Sequence, residues 1–149
     1  LMNSTQHSIS AVVQVTNITP VQVLFYNGDA GLNGYGYDIN SNREILYGGL
    51  VFKTNGPANS NYEIITIFRD ATITRLRVNG AQRTILSAGT APNTPTVEST
   101  LGGSYAGGIY NQFLNVSICE IIWRDAGVEA SVYLNDEKYL SQEWGIALA

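Results

Sequence analysis

The 149 residues are enough for one domain around one core and too few for two. Hydrophobic residues make up 44% and charged residues only 13%, so the chain is globular and its surface is carried by Asn, Ser, Thr, Gly and Tyr. The formal net charge of −4 argues against a nucleic-acid footprint, and no apolar run approaches the roughly 18 residues needed to span a bilayer.

In chain order the pattern is short β-type runs broken by Gly, Asn, Asp and Pro. Ile9 to Val15 is a strand of mixed alternation, and Asn17-Ile18-Thr19-Pro20 is a turn. Val21 to Tyr26 is rich in β-branched and aromatic residues and is the next strand. A loop with three glycines, Asn27 to Gly34, leads to strands over Tyr35 to Ile39, Glu44 to Tyr47 and Leu50 to Lys53. Tyr62 to Phe68 is the clearest strand. Ile73 to Val78 follows, with Arg75 and Arg77 alternating with Leu76 and Val78, which predicts one wet face. Asn79-Gly80 is a hairpin signal, and Gln82 to Leu86 is expected to pair back. Ser87 to Thr96, with Pro92 and Pro95, reads as loop. Thr96 to Leu101 reads as a strand, Ser104 to Gln112 as an exposed loop, and Phe113 to Trp123 as the last long strand. The period then changes. Val132, Tyr133, Tyr139, Leu140 and Trp144 share one helical face, and Gly145 marks a C-terminus, which predicts one helix from Ala130 to Glu143. Many short strands and one late helix predict an all-β antiparallel sandwich with the helix against the sheets.

Several segments then resemble a known family. Arg69 to Gly80, which reads R-D-A-T-I-T-R-L-R-V-N-G, is similar to the strand-turn-strand signature of laminin-G-like domains in the concanavalin A-like lectin and glucanase superfamily. Leu101-Gly102-Gly103, Ile118 to Trp123, and Tyr139 to Ile146 resemble later signatures of the same family in the same order. Gln22 to Gly28 with Asn33 to Gly36 resembles an earlier pair of strands. The resemblance covers nearly the whole chain and is closest to bacterial and phage versions. It implies a jelly-roll sandwich. The sequence departs from it at Val116-Ser117, where the family places Gly-Asp, and before Ile9, where the family's first strand has no counterpart. The expectation is therefore residues 1–149 as a single domain forming the C-terminal piece of a larger protein. An open sheet edge would then be filled by a preceding segment or by other chains, in a homo-oligomer.

Chemistry is read from side-chain patterns. Glycoside hydrolysis needs two closely placed carboxylates, and on a strand these would stand at i and i+2. Glu44, Glu63 and Glu120 each have Leu or Ile there, so no catalytic residue is assigned and the chain is not expected to be an enzyme. Asp136 and Glu137 are expected to act as first-turn partners of the helix dipole. Cys119 reads as a small buried strand residue. His7, the only histidine, reads as a solvated terminal residue. The resemblance allows one cofactor, a Ca²⁺ ion, for which Asp29 is the candidate ligand with Asn27 and Asn33 nearby; no metal ligand is otherwise assigned. Nine tyrosines against four phenylalanines point to sugar stacking, with amides reading hydroxyl groups. The candidate ligand residues are Asp29, Asn33, Tyr35, Tyr37, Tyr47, Tyr105, Tyr110 and Asn111. Core filling is the competing role for Tyr35 and Tyr37, which share one face. The expected function is a non-catalytic carbohydrate-binding or adhesion module of a phage or viral surface structure. It would be extracellular or on a virion, with a cell-surface glycan as partner. A structural module of a virion or surface layer and a carbohydrate-binding module of a secreted bacterial protein are the alternatives.

Overall fold

The computed structural model describes residues 6–15, 22–30, 34–39, 44–47, 50–53, 61–69, 74–83, 95–125 and 129–149. Within them the elements are β1 (His7–Val15), β2 (Gln22–Asn27), β3 (Tyr35–Ile39), β4 (Glu44–Tyr47), β5 (Leu50–Lys53), β6 (Tyr62–Arg69), β7 (Thr74–Val78), β8 (Ala81–Gln82), β9 (Ser99–Leu101), β10 (Ser104–Ala106), β11 (Ile109–Asn111), β12 (Val116–Arg124) and α1 (Ala130–Trp144). The fold is all-β, with antiparallel sheets and one short C-terminal helix. One five-stranded sheet runs β12-β1-β6-β7-β8, a second runs β5-β4-β3-β2-β9, and β10-β11 form a separate hairpin.

The main core lies between the two large sheets. Ile9, Ala11 and Val13 of β1, Ile65 and Ile67 of β6, and Leu76 and Val78 of β7 face Leu24, Phe25, Tyr35 and Tyr37 of β2 and β3. A second apolar layer lies on the other face of the first sheet, where Val12 and Ile64 meet Leu140 of α1. β1 and β6 are thus covered on both faces, which explains the mixed alternation of Ile9 to Val15: a strand buried on both sides has no wet face to mark. The same helix roofs the face of β7 that carries Arg77. Its guanidinium donates from Nε to Glu137 Oε1 at 2.8 Å and from Nη2 to Glu137 Oε2 at 3.2 Å, and its carbon lies 5.8 Å from the Tyr133 ring centre. At the opposite edge of the sheet Arg124 of β12 holds Asp136 through two bonds of 2.7 and 2.6 Å. Asp136 and Glu137 lie beyond the first turn, so their role is not dipole compensation. They clamp α1 across the sheet.

Local chemistry fixes the ends of these elements. Asn79 and Gly80 have φ of 49° and 79°, the pair of left-handed residues that a tight two-residue hairpin requires. Asn79 Oδ1 also accepts the Ile64 N–H at 2.8 Å. The expected return strand is described only through Arg83. Gly36 stands under the Tyr26 ring and against the Phe25 carbonyl, where a Cβ would collide with both. α1 ends one residue later than expected, with Gly145 left-handed at the cap. β12 carries a bulge: Val12 opposes Glu120 but Val13 opposes Ile118. The bulge lets Ile118 and Ile121, three residues apart, both enter the main core, while Cys119 and Ile122 face the helix layer.

Candidate functional site

The hairpin β10-β11 replaces the exposed loop expected over Ser104 to Gln112. Its turn is Gly107-Gly108, with φ of 56° and 92°. Tyr105 pairs with Tyr110 and Ala106 with Ile109. Directly opposed residues share a face of a hairpin. The two phenol rings accordingly meet edge to face, with centres 5.2 Å apart and planes at 67°.

Main-chain bonds fix where this hairpin sits. The Ala30 N–H donates to the Tyr105 carbonyl at 2.7 Å, and Asp29 forms a parallel bridge to Tyr105. The Gly107 N–H donates to Asp29 Oδ1 at 3.1 Å. At the base of the hairpin, the Ser104 hydroxyl lies 2.7 Å from Asn111 Oδ1 and 2.9 Å from Gln112 Oε1. The Val23 N–H donates to the Gln112 carbonyl, and the Thr100 hydroxyl donates to the Gly103 carbonyl at 2.6 Å. The hairpin is thereby tied to the end of β2 and to β9.

Between β9 and this hairpin lies a cleft of about 290 Å³, lined by Val97, Glu98, Thr100, Tyr105 and Tyr110. Tyr110 is 59% exposed and Tyr105 half-buried, so both present ring surface to solvent. Leu101 of β9, Ile109 of β11 and Phe113 are also exposed. The volume is near the lower end of the range for small-ligand sites. A largely apolar lining with few polar groups is the usual composition of such sites.

The chain shares its fold with about a quarter of several sialidases. The leech intramolecular trans-sialidase, complexed with 2,7-anhydro-Neu5Ac, superposes with a TM-score of 0.68 at 17% identity, over 89% of this chain and 23% of that one. The NanB sialidase of Streptococcus pneumoniae gives 0.66 at 14%, over 90% and 24%. Trypanosoma rangeli sialidase gives 0.58 at 18%, over 98% and 24%. At these identities the likeness is one of fold. No family model and no curated protein matches the chain.

The candidate ligand residues of the sequence divide sharply. Tyr105 and Tyr110 come together at the cleft. Tyr35 and Tyr37 are fully buried in the main core, out of a ligand's reach. Asn111 faces Ser104 and is part of the hairpin's frame. Asp29 is 8% exposed and fixes the hairpin turn. Tyr47 lies on β4, in register with Tyr35, and Asn33 lies outside the described residues. Glu98, Val97 and Thr100 were not anticipated. They lie just before or within β9, beside a stretch with two prolines, and no periodicity flags them.

One Asp29 oxygen accepts the Gly107 N–H, and among the described residues no group of three or more His, Cys, Asp or Glu could hold a metal ion. Asn33, expected beside Asp29, lies outside the described residues.

His7 is the largest correction. It is fully buried and stacks on Tyr35, with centres 4.0 Å apart and planes at 5°. β1 begins two residues earlier than expected, and His7 continues the inward series of Ile9, Ala11 and Val13. Cys119 faces the helix layer on the other side of that sheet, so the two do not form a nucleophile-base pair. Burial pushes the Tyr35 phenol well above its ordinary range, while Asn27 and Trp123 beside it pull the other way.

Proposed function

We propose that this chain is a non-catalytic carbohydrate-binding module and that the Tyr105–Tyr110 cleft is its site. The observation that carries this reading is a pair of solvent-facing phenol rings held at a cleft by a hairpin anchored through its main chain. Pyranose rings stack their C–H faces on such aromatic surfaces, while hydroxyls near the rim exchange hydrogen bonds with Glu98. The structural likeness to sialidases places the same architecture within carbohydrate-active proteins.

The cleft is read as a binding surface, with Glu98 the one carboxylate among its described lining residues. The matched part is about a quarter of each sialidase, and the sialidases' activity is not carried over to this chain. The laminin-G-like assignment is proposed with this function. That assignment rests on the sequence resemblance of the run from Arg69 to Gly80, which ends β6, contains β7 and closes at the Asn79-Gly80 turn, with residues 70–73 outside the described ones. An extracellular setting accords with the low charge. No helix among the described residues is long and apolar enough to cross a membrane. A phage or viral fibre or decoration protein is the setting proposed, on the resemblance to bacterial and phage versions of the family.

The test is a glycan array probed with a multimerised form of the chain, since avidity reveals weak single sites. Specific signals that Tyr110→Ala abolishes, with folding intact by circular dichroism, are the expected result. A blank array from folded wild-type protein, or signals indifferent to both Tyr105→Ala and Tyr110→Ala, would overturn the assignment.

A further inference from the structure

The cleft carries a charge pattern of its own. Its described lining holds two phenols, a threonine hydroxyl, a valine and one carboxylate, Glu98, which is exposed. No cation lines it among the described residues. Lys53 is on β5, at the far edge of the sheet from β9, Arg83 follows β8, and the other described cations belong to the helix-covered sheet and the helix. Arg69 is buried on β6, Arg75 lies over the Phe68 ring, Arg77 is held by Glu137 and Arg124 by Asp136. Lys138 is on α1. Among the described residues, the guanidinium groups of Arg77 and Arg124, which could fork a sugar carboxylate, are held in ion pairs away from the cleft. The nearest charge a ligand meets is negative, on a chain whose net charge is already −4.

We propose that the cleft selects uncharged sugars and that Glu98 is the specificity-determining residue that turns away acidic ones, sialic and hexuronic acids included. This rests on the cleft being the sugar site. A neutral sugar gives Glu98 hydroxyl donors. An acidic sugar gives it a second negative charge and leaves two acceptors facing each other. For like charges roughly 5 Å apart in a solvent-exposed site the repulsion lowers affinity about five- to tenfold, and salt weakens the effect.

The experiment uses the intact chain and matched glycan pairs: a galactose-terminated oligosaccharide with its sialylated form, and a glucoside with its glucuronide. Array signals choose the pairs, and titration calorimetry at low and high ionic strength measures them. The expected result is binding of the neutral member, with the acidic member weaker by about five- to tenfold at low salt. Glu98→Gln should close that gap to within about twofold, weakening the neutral sugar as its hydroxyls lose a charged acceptor, and Glu98→Lys should reverse the preference. Glu98 is exposed and precedes β9, so these variants leave the core untouched. Equal or tighter wild-type binding of the acidic member at a site that Tyr110→Ala destroys would overturn this inference and leave the binding function standing. A preference unmoved by both Glu98 variants would overturn the role of Glu98. Binding of neither member of any pair would remove the function and this inference together.

Discussion

The clamp between α1 and the sheet offers a prediction that can be worked through. Glu137 is 1% exposed and meets Arg77 through two hydrogen bonds, and the Arg77 side chain is 18% exposed. Glu137→Ala leaves the guanidinium beneath the helix with only the Gly80 carbonyl and the Tyr133 ring as the contacts described here. Breaking one side of a fully buried pair costs about 3–5 kcal/mol; the partial exposure of Arg77 lowers this to roughly 2–3 kcal/mol. In a domain of this size that corresponds to a fall in Tm of about 4–12 °C. Replacing both partners by apolar residues, Arg77→Met with Glu137→Leu, removes the stranded charge and should return stability to within about 1 kcal/mol of wild type. Urea denaturation of wild type, Arg77→Met, Glu137→Leu and the double variant, followed by circular dichroism, reads the coupling directly. Asp136 serves as the internal contrast. Its partner Arg124 is 45% exposed at the sheet edge, so Asp136→Ala should cost only about 1 kcal/mol. A loss under about 1 kcal/mol for Glu137→Ala, or a double variant no better than the sum of the singles, would refute the view that the pair clamps the helix.

Two further expectations concern the other end of the fold. Asp29→Ala removes the acceptor for the Gly107 N–H and should cost about 1–2 kcal/mol, with faster amide exchange at Gly107 and weaker sugar binding, while Asp29→Asn, which keeps an oxygen there, should restore both; unchanged exchange at Gly107 would count against this anchoring. Burial raises the Tyr35 phenol, so the folded state favours its neutral form. The resulting stability is whole below the ordinary phenol pKa of about 10 and is lost as pH rises beyond it. Tyr35→Phe keeps a ring against His7 and should flatten the fall in stability measured by urea denaturation between about pH 9 and pH 11. Parallel pH curves for the two proteins would dismiss this assignment.

Legibility in the sequence followed a physical line. Strands with β-branched runs and clear punctuation, such as Tyr62 to Phe68 and Tyr35 to Ile39, were readable to within a residue, as were the helix and the Asn79-Gly80 turn. Features decided by what lies above a strand were not. The alternation of Arg75 and Arg77 signals a wet face, and nothing local says that a distant helix brings Glu137 to cover it. His7 stood in a polar stretch, and only its register with Ile9 and Ala11 places it inside. The β12 bulge moved Ile118 and Ile121 to one face, which strict alternation forbids. The hairpin at the cleft was missed because Gly107-Gly108 between short polar runs looks like loop; a two-residue glycine turn flanked by tyrosines was the available signal. Tyrosine pairing across that turn brings Tyr105 and Tyr110 together, whereas Tyr35 and Tyr37, two residues apart on one strand, turn inward. Which way a pair points depends on register with neighbours that the pair itself does not encode.

The anchoring of the β10-β11 hairpin separates two jobs that proteins often entangle. Position is set by main-chain bonds from Ala30 and Val23 and by Asp29 reaching a backbone N–H, contacts that owe nothing to the side chains facing the cleft. Those side chains can therefore be exchanged at little cost to the scaffold, much as the teeth of a key can be recut without reshaping its shaft. Val97, Glu98, Tyr105 and Tyr110 form a compact palette for a selection library. Mutational drift at the same four positions would diversify what such a surface recognises while its architecture stays constant.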